Sequence, residues 1–352
     1  MVSPAVSQRL PLVAVGIAVL LWSMSFGISA EVLNTASPAV LSVGRFVIGL
    51  LILVPLAARR PGFTRTLRRP RTIILGLLGV ALYYSLTNVG LVFTSAGTAA
   101  LSNAALPALT ALLGLLILRE RLAVRTIVGL VLATVGVIIV AGSGLSLDIG
   151  VILCLVGLAC YALYTVLLRK DSSTAPARGH GATAGQQTSG SVDPLVLATA
   201  TAVWGTAIML PWLGIEAMTG TSSLPTGWAG LGGLLFLGVV ITAPTLVLFN
   251  YGAERLPAAI TGVLTAAIPA LGYLFALLLG EHPDTITALG GAIALIGVVI
   301  ASVALPSIAS GPPGSMLPPP DDLVIGGTHR DGGPLQNRAT DTSRLMCPKF
   351  TA

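Results

Sequence analysis

The chain has 352 residues, of which 54% are hydrophobic and only 9% are charged, and its formal net charge is +6 at pH 7. Soluble domains carry about 25% charged residues, so this composition excludes an ordinary water-soluble protein and favours a lipid-embedded one. Two of the 3 cysteines lie inside an apolar run, which indicates neither a disulfide framework nor a metal site.

Apolar runs of about 20 residues follow one another along the chain, and this is the length that a helix needs to cross a bilayer. The first run begins at Leu10 and is long enough to be a span instead of a cleavable signal peptide. We predict an all-α membrane protein with ten transmembrane helices. They cover residues 10–30, 38–58, 72–92, 96–118, 123–142, 149–168, 194–215, 227–249, 257–279 and 285–305.

The second half of the sequence repeats the first. Asn88, Gly90 and Pro107 recur at the same mutual spacing as Asn250, Gly252 and Pro269, and a second set recurs in the same way: Glu120, Gly129, Ala133 and Gly136 as Glu281, Gly290, Ala294 and Gly297. We therefore predict two five-helix repeats, residues 10–142 and 149–305. Because five crossings are an odd number, the second repeat starts on the opposite side, so the repeats are inverted.

Basic residues indicate the orientation. Every one of the 19 Lys and Arg residues except Arg45 falls on one side of the predicted membrane, in loops, at span ends or in the terminal segments. Since cytoplasmic loops are enriched in Lys and Arg, we place both termini in the cytoplasm, in a cytoplasmic (inner) membrane. The net charge is therefore explained by topology, and no nucleic-acid partner is indicated.

Two segments differ from the rest in composition. Residues 171–193 are rich in Gly, Ser, Thr and Ala and predict a flexible cytoplasmic connector within the second repeat. Residues 306–352 are rich in Pro, Gly and Asp and predict a disordered cytoplasmic tail.

A polar and aromatic stripe on the first span points to a binding cavity. Trp22, Ser25 and Phe26 share one helical face, and Tyr161 and Tyr164 occupy the equivalent place in the sixth span. Such stripes in lipid face protein or a cavity. Helix packing with internally bonded hydroxyl groups is the alternative.

The fourth and ninth spans carry a second equivalent set. Asn103 and Thr265 occupy matching positions, each followed by a proline, Pro107 or Pro269, that removes a helical hydrogen bond and bends the helix. These bends predict a binding or gating point. A purely structural kink is the alternative.

Arg45 is the formal charge placed well inside a span, and Tyr84 belongs to the polar edge of the third span. Placing an arginine there costs at least about 2.5 kcal/mol. Glu31, near the end of the first span, is a candidate partner for Arg45. We predict a substrate-binding or gating role for Arg45. The alternatives are a structural ion pair and a side chain that extends to the membrane surface.

The spans lack the groups that other functions need. None contains an Asp or Glu at depth, the histidines lie in loops or the tail, and no P-loop is present, so we predict neither an enzyme nor a cofactor. Tyr and Arg titrate too high to carry protons near neutral pH. Exchange or downhill flow is therefore expected, unless the substrate carries the proton or Glu31 reaches the cavity.

Several motifs resemble one family. They are L-W-S-M-S-F at 21–26, G-R-F at 44–46, A-L-P-A-L-T-A-L-L-G-L-L-I-L-R-E-R-L at 105–122 and Y-A-L-Y at 161–164. Together with the repeat they resemble the EamA-like transporters of the drug/metabolite transporter superfamily. The resemblance implies a central cavity lined by spans one to four and six to nine, alternating access, and peripheral spans five and ten. The second repeat has one residue fewer between Pro269 and Glu281 than the first has between Pro107 and Glu120. This deletion and the long connector depart from the family pattern.

The expected function is secondary transport of small metabolites or drugs, with export as the expected direction. The expected partners are a small-molecule substrate and the lipid bilayer, and a homodimer is left open. A non-transporting membrane sensor or assembly partner is the alternative.

Overall fold

The computed structural model describes residues 4–118, 124–141, 148–174, 192–253, 264–282 and 285–303, and this part of the chain consists of helices joined by short turns. The helices belong to one compact unit, Met1–Ile308. The predicted tail, residues 306–352, lies outside the described residues, as does most of the predicted connector. The last helix before the connector ends at Thr174, so the first four residues assigned to the connector are helical instead.

The described part of the first half forms eight α-helices. They are α1 (Pro4–Leu33), α2 (Pro38–Ala58), α3 (Phe63–Leu67), α4 (Pro70–Gly76), α5 (Tyr83–Phe93), α6 (Ala96–Ser102), α7 (Leu106–Leu113) and α8 (Val124–Ala141). A π-helical segment, Leu77–Leu82, joins α4 to α5, and a 3-10 turn, Asn103–Ala105, joins α6 to α7. A second π-helical segment, Gly114–Leu118, follows α7.

The described helices of the second half follow the same order. They are α9 (Ile149–Thr174), α10 (Pro194–Met218), α11 (Gly227–Phe236), α12 (Ala243–Ala253), α13 (Ile268–Leu278) and α14 (Thr285–Val303). The π-helical segment Leu237–Thr242 joins α11 to α12. Like Leu77–Leu82, it has 6 residues. The helices that follow the two segments, α5 and α12, have 11 residues each.

Among the described residues, seven helical stretches are long and apolar enough to cross a membrane. They are Leu10–Leu33, Pro38–Ala58, Pro70–Phe93, Ala96–Ile117, Ile149–Leu168, Pro194–Met218 and Gly227–Gly252. Three shorter apolar helices, Ile127–Val140, Ile268–Leu278 and Thr285–Ile300, lie where the fifth, ninth and tenth spans are predicted. An all-helical protein with multiple apolar spans is therefore confirmed, whereas the full ten-span count stays a prediction.

Proline and acidic residues mark where several helices begin. Pro38, Pro70 and Pro194 each occupy the first turn of a helix, where the missing N–H has no intrahelical partner to lose. Asp193 also caps α10 by accepting hydrogen bonds from the backbone N–H groups of Leu195 and Val196.

Helices α8 and α14 pack through small residues. A Cβ added to Gly136 would clash with the backbone of Ala294, and a Cβ added to Gly297 would clash with the backbone of Ala133. The two backbones can approach this closely only because side chains are small at the contact. The glycines and alanines that recur in the fifth and tenth predicted spans therefore pack against each other.

A second pair of glycine contacts joins the two halves. Gly76 faces α10, where an added Cβ would lie 2.7 Å from the Thr201 carbonyl oxygen and 2.9 Å from the Gly205 nitrogen. Across the molecule, an added Cβ on Gly49 would lie 3.4 Å from the Gly238 carbonyl oxygen. Gly76 and Gly238 hold equivalent places in the sequence repeat, as do Gly49 and Gly205.

Candidate functional site

Four tyrosines from two helices form a continuous row in the interior of the bundle. Tyr84 and Tyr83 of α5 have ring centroids 4.8 Å apart, Tyr83 lies 4.9 Å from Tyr161 of α9, and Tyr161 lies 5.4 Å from Tyr164. We call these four residues the tyrosine row. Each ring is half-buried, so the row retains accessible surface although its members pack against one another.

Arg45 of α2 lies at the Tyr84 end of the row. Its side chain is only 2% exposed, and its guanidinium carbon lies 5.0 Å from the Tyr84 ring centroid and 5.9 Å from that of Phe46. The Nε–H group donates a hydrogen bond of 3.3 Å to Oγ1 of Thr242, which comes from the π-helical segment of the other half. Arg45 therefore sits where helices of both halves meet.

The contacts of Arg45 do not include a counter-charge. Among the described residues, Arg45 has one hydrogen bond, the one to Thr242. The one ion pair in that part of the chain joins Arg60 to Asp193 at 3.5 Å and is partly exposed, so it does not involve Arg45. The two aromatic faces offset part of the burial cost, at about 0.5–2 kcal/mol each, but they leave the N–H groups of both terminal nitrogens available.

The suggested pair between Arg45 and Glu31 is not formed. Glu31 is exposed, and its carboxylate accepts a hydrogen bond of 3.2 Å from the Asn34 side chain. The physical reason is local: Glu31 lies at the helix end, where water and a neighbouring amide solvate it, whereas Arg45 is held inside by Thr242.

The stripe predicted on the first span divides into two environments. Trp22 and Ser25 are half-buried, and the Trp22 ring lies 5.1 Å from that of Phe249 in α12. Phe26 is buried in a hydrophobic cluster that includes Leu91 and Cys154. The structure therefore places Phe26 in a packed core, and Trp22 against the second half.

The predicted bends coincide with breaks in helical geometry. The 3-10 turn Asn103–Ala105 immediately precedes Pro107, which lies in the first turn of α7. Pro269 likewise lies in the first turn of α13, directly after a turn at residues 266–267. The Asn103 amide donates to the Ala99 carbonyl of its own helix at 3.1 Å, and Thr265 is half-buried.

Of the predicted residues, the structure thus brings together Arg45, Tyr84, Tyr161 and Tyr164. Sequence reasoning missed Phe46, Thr242 and Phe249. The position of Phe46 next to Arg45 was a usable signal, because a residue beside a buried cation can offer its ring face. A lone threonine in an apolar run, such as Thr242, gives no such signal.

Asn88 joins two helices through its side chain. Its side-chain amide donates a 2.8 Å hydrogen bond to the Ser42 hydroxyl, and both residues are buried. This bond ties α5 to α2 just beyond Arg45, so it helps to fix the position of the helix that carries the guanidinium.

Carboxylates near one end of the bundle cap helices. Glu281 accepts hydrogen bonds from the backbone N–H groups of Ala96 (2.8 Å) and Gly97 (2.9 Å), at the start of α6. Glu216 accepts one from Ala39 at the start of α2. Anions are stabilised at helix N-termini by the unpaired N–H groups there. Both contacts join the second half of the chain to the first.

A separate groove of about 590 Å³ lies between α7, α8 and α9. Its walls are almost entirely apolar, and several of its residues, including Leu112 and Val131, point outward from the bundle. None of the predicted site residues lines it. It has the character of a lipid-facing surface, and the polar chemistry lies elsewhere.

An all-helical chain with multiple apolar spans and a buried arginine among tyrosines is a polytopic membrane protein with a polar interior. The sequence profile of the EamA-like transporter family matches residues 10–142 and 177–303. The chain belongs to this family of membrane transporters, which the motifs had indicated.

Similar proteins carry transporter names. An uncharacterized transporter from Archaeoglobus fulgidus is 24% identical over 82% of this chain and 97% of its own length. A probable terminal-alkyne amino-acid exporter from Streptantibioticus cattleyicolor is 28% identical over 82% of this chain and 91% of its own length. A crystal structure with 17% identity matches 84% of this chain and 98% of its own, with a TM-score of 0.59, and supports the fold.

Proposed function

We propose that this protein is a secondary transporter that exports small molecules across the cytoplasmic membrane by alternating access. Substrate binds between two inverted five-helix repeats, residues 10–142 and 149–305, and both termini are cytoplasmic. The chain is not an enzyme and uses no cofactor.

One observation carries the proposal. Arg45 and the tyrosine row form a polar, partly accessible group deep among apolar helices, and its members come from α2, α5, α9 and the segment before α12. Buried charge in a membrane protein is costly and marks a functional site. A group shared by both halves can change its access when the halves move.

Paired contacts support the inverted repeat. The approach of Gly76 to Gly205 has its counterpart in the approach of Gly238 to Gly49. The π-helical segments Leu77–Leu82 and Leu237–Thr242 also occupy matching places. Such segments frequently occur at functional sites.

The proposed substrate-binding group centres on Arg45, Tyr84, Tyr161 and Tyr164. The remaining proposed residues are Trp22, Ser25, Phe26, Asn103 and Thr265. Of these, Phe26 is buried in a hydrophobic cluster, so its proposed role is to support the wall of the site. Pro107 and Pro269 are the proposed bending points, because each follows an interruption of helical geometry at which a helix half can tilt.

Transport and its direction are tested in cells and then in liposomes. Metabolites in the medium of overexpressing and deletion cells are compared by mass spectrometry, and each compound enriched by overexpression is assayed for counterflow in proteoliposomes. We expect at least one small molecule to be exported by overexpressing cells and exchanged by the purified protein. The proposal would be contradicted if metabolite levels were the same in the two media and no compound showed counterflow.

The orientation has its own test. Reporter fusions at the C-terminus are expected to give a cytoplasmic signal. A periplasmic signal there would overturn both the even span count and the inversion of the repeats.

A further inference from the structure

We propose that the substrate is a small monocarboxylate, whose carboxylate pairs with Arg45 and whose apolar body lies along the tyrosine row. This inference rests on the proposed transport function and specifies the chemical class of what is moved.

The first argument is the unused hydrogen-bonding capacity of Arg45. Its Nε–H group is bonded to Thr242, which leaves the N–H groups of the terminal nitrogens without a hydrogen-bond partner among the described residues. The planar guanidinium presents these N–H groups as a fork that matches the two oxygens of a carboxylate. Because the whole residue is only 2% exposed, little solvent can reach these N–H groups, so an acceptor supplied by the ligand is favoured.

The second argument is charge. Arg45 is the charged residue among the buried side chains of the described chain. A ligand with one negative charge gives a neutral complex, whereas a dianion leaves a net negative charge and a cation adds to the positive one. Unpaired charge in low dielectric is strongly disfavoured, so one carboxylate fits better than a phosphate ester or an ammonium ion.

The third argument is the arrangement of the rings. Tyr84 contacts both the guanidinium and Tyr83, so the tyrosine row begins at Arg45 and leads away from it through Tyr161 to Tyr164. The exposed portions of these rings offer apolar faces, with hydroxyl groups at their edges. A ligand with its carboxylate at Arg45 therefore meets aromatic surface with its remaining atoms.

The experiment compares isosteric ligands on the purified full-length protein. Thermal unfolding in detergent is followed against 3-phenylpropionate, its neutral amide 3-phenylpropionamide, and 2-phenylethylphosphonate, which has the same phenylethyl body and a phosphonate group that can carry two negative charges. Because hydrogen bonds to charged groups are stronger than neutral ones, we expect the carboxylate to stabilise the protein at concentrations about 10- to 100-fold lower than the amide or the phosphonate.

Variants then assign the preference to Arg45. Arg45→Gln should remove the difference between carboxylate and amide, and Arg45→Lys should keep it with affinity reduced about 10-fold, because a single ammonium loses the fork. Arg60→Gln, which removes a surface arginine, is the matched control and should keep the full preference. If Arg45→Gln does not fold, the wild-type comparison of carboxylate and amide decides alone.

The outcomes separate this inference from the transport proposal. Equal stabilisation by carboxylate and amide, or preference that survives Arg45→Gln, overturns the monocarboxylate assignment. The same holds if the cell screen and counterflow identify only cationic or neutral substrates, although transport itself would then be upheld. Absence of any exported or exchanged compound overturns transport, and the assignment with it.

Discussion

The two halves of the chain agree where helices touch and differ where a ligand could bind. Gly76 and Gly205 match Gly238 and Gly49, and both pairs form close backbone contacts. Arg45 and Phe46, in contrast, correspond to Thr201 and Ala202 when Pro38 is aligned with Pro194, and Tyr84 corresponds to Leu246 when Asn88 is aligned with Asn250.

Residues at close helix contacts are therefore repeated in both halves, whereas the proposed ligand-binding residues are not. A close helix contact tolerates only a small residue, so both copies need one at the same place. A ligand without twofold symmetry makes different contacts with each half, so nothing requires its binding residues to be duplicated. The positive charge is therefore in the first half, and its hydroxyl partner Thr242 is in the second.

The largest expected effect tests this asymmetry directly. Arg45→Ala should lower the initial rate of export about 100-fold, because a charge-assisted pair worth about 1.5–3 kcal/mol is lost, and Arg45→Lys should restore it only in part. The equivalent change Thr201→Ala should cost less, about 3- to 10-fold, because the neutral Thr201 hydroxyl bonds to Ala198 of its own helix and faces the Tyr164 hydroxyl, and no charged contact is lost.

Export rates are to be measured at matched amounts of protein in the membrane. Equal losses in Arg45→Ala and Thr201→Ala would show that the halves contribute alike. Near-normal export by well-expressed Arg45→Ala would return Arg45 to a structural role.

The next effect tests the symmetric contacts. Gly136→Ala and Gly297→Ala should each destabilise the protein by about 1–3 kcal/mol, since the added methyl group has no space between α8 and α14. Gly214→Ala is the control, because nothing lies within 4 Å of its added Cβ. Thermal unfolding in detergent should show similar losses for the first two and none for the third; a strongly unequal pair would argue against the repeat.

The sequence predicted the features that depend on spacing alone. Apolar length indicated the spans, and Pro107 indicated the break that appears as a 3-10 turn. The small residues shared by the fifth and tenth spans were visible in the repeat, but the contact between α8 and α14 was not predicted.

Features that depend on which helices meet could not be predicted in this way. Glu31 was suggested as the partner of Arg45 because it carries the opposite charge. In the structure the partner is instead the hydroxyl group of Thr242, 197 positions away in the sequence. The π-helical segment Leu77–Leu82 has no proline within it or near its end, so its position follows from packing against neighbouring helices. Pro244, two residues after Leu237–Thr242, was a usable signal for the second segment, because a proline removes the hydrogen bond to the residue four positions earlier.

A smaller effect is expected at Thr242. Thr242→Val removes the acceptor for the Arg45 Nε–H group while keeping the side-chain volume similar, so a buried donor loses its partner at a cost of about 1–3 kcal/mol. Export should fall about 10-fold. Val80→Leu at the equivalent place in the first half changes packing without touching Arg45, and a comparable loss there would show that Thr242 acts through packing alone.

The smallest expected effect is that of a proton gradient, which should be none. Proton-coupled transporters place a titratable group along the pathway, and the buried side chains of the described chain include no carboxylate. Glu281 and Glu216 accept backbone hydrogen bonds at helix N-termini, and Glu31 is exposed. The proposed pathway therefore contains a fixed positive charge and, among the described residues, no buried carboxylate that could carry a proton. Reconstituted protein should exchange substrate equally fast with and without an imposed pH gradient, provided that the ionised fraction of the substrate is the same in both experiments. Uphill accumulation driven by the gradient would contradict this expectation. If Glu31→Gln then abolished only the uphill component, the coupling site would be Glu31, at the end of the first span and outside the tyrosine row.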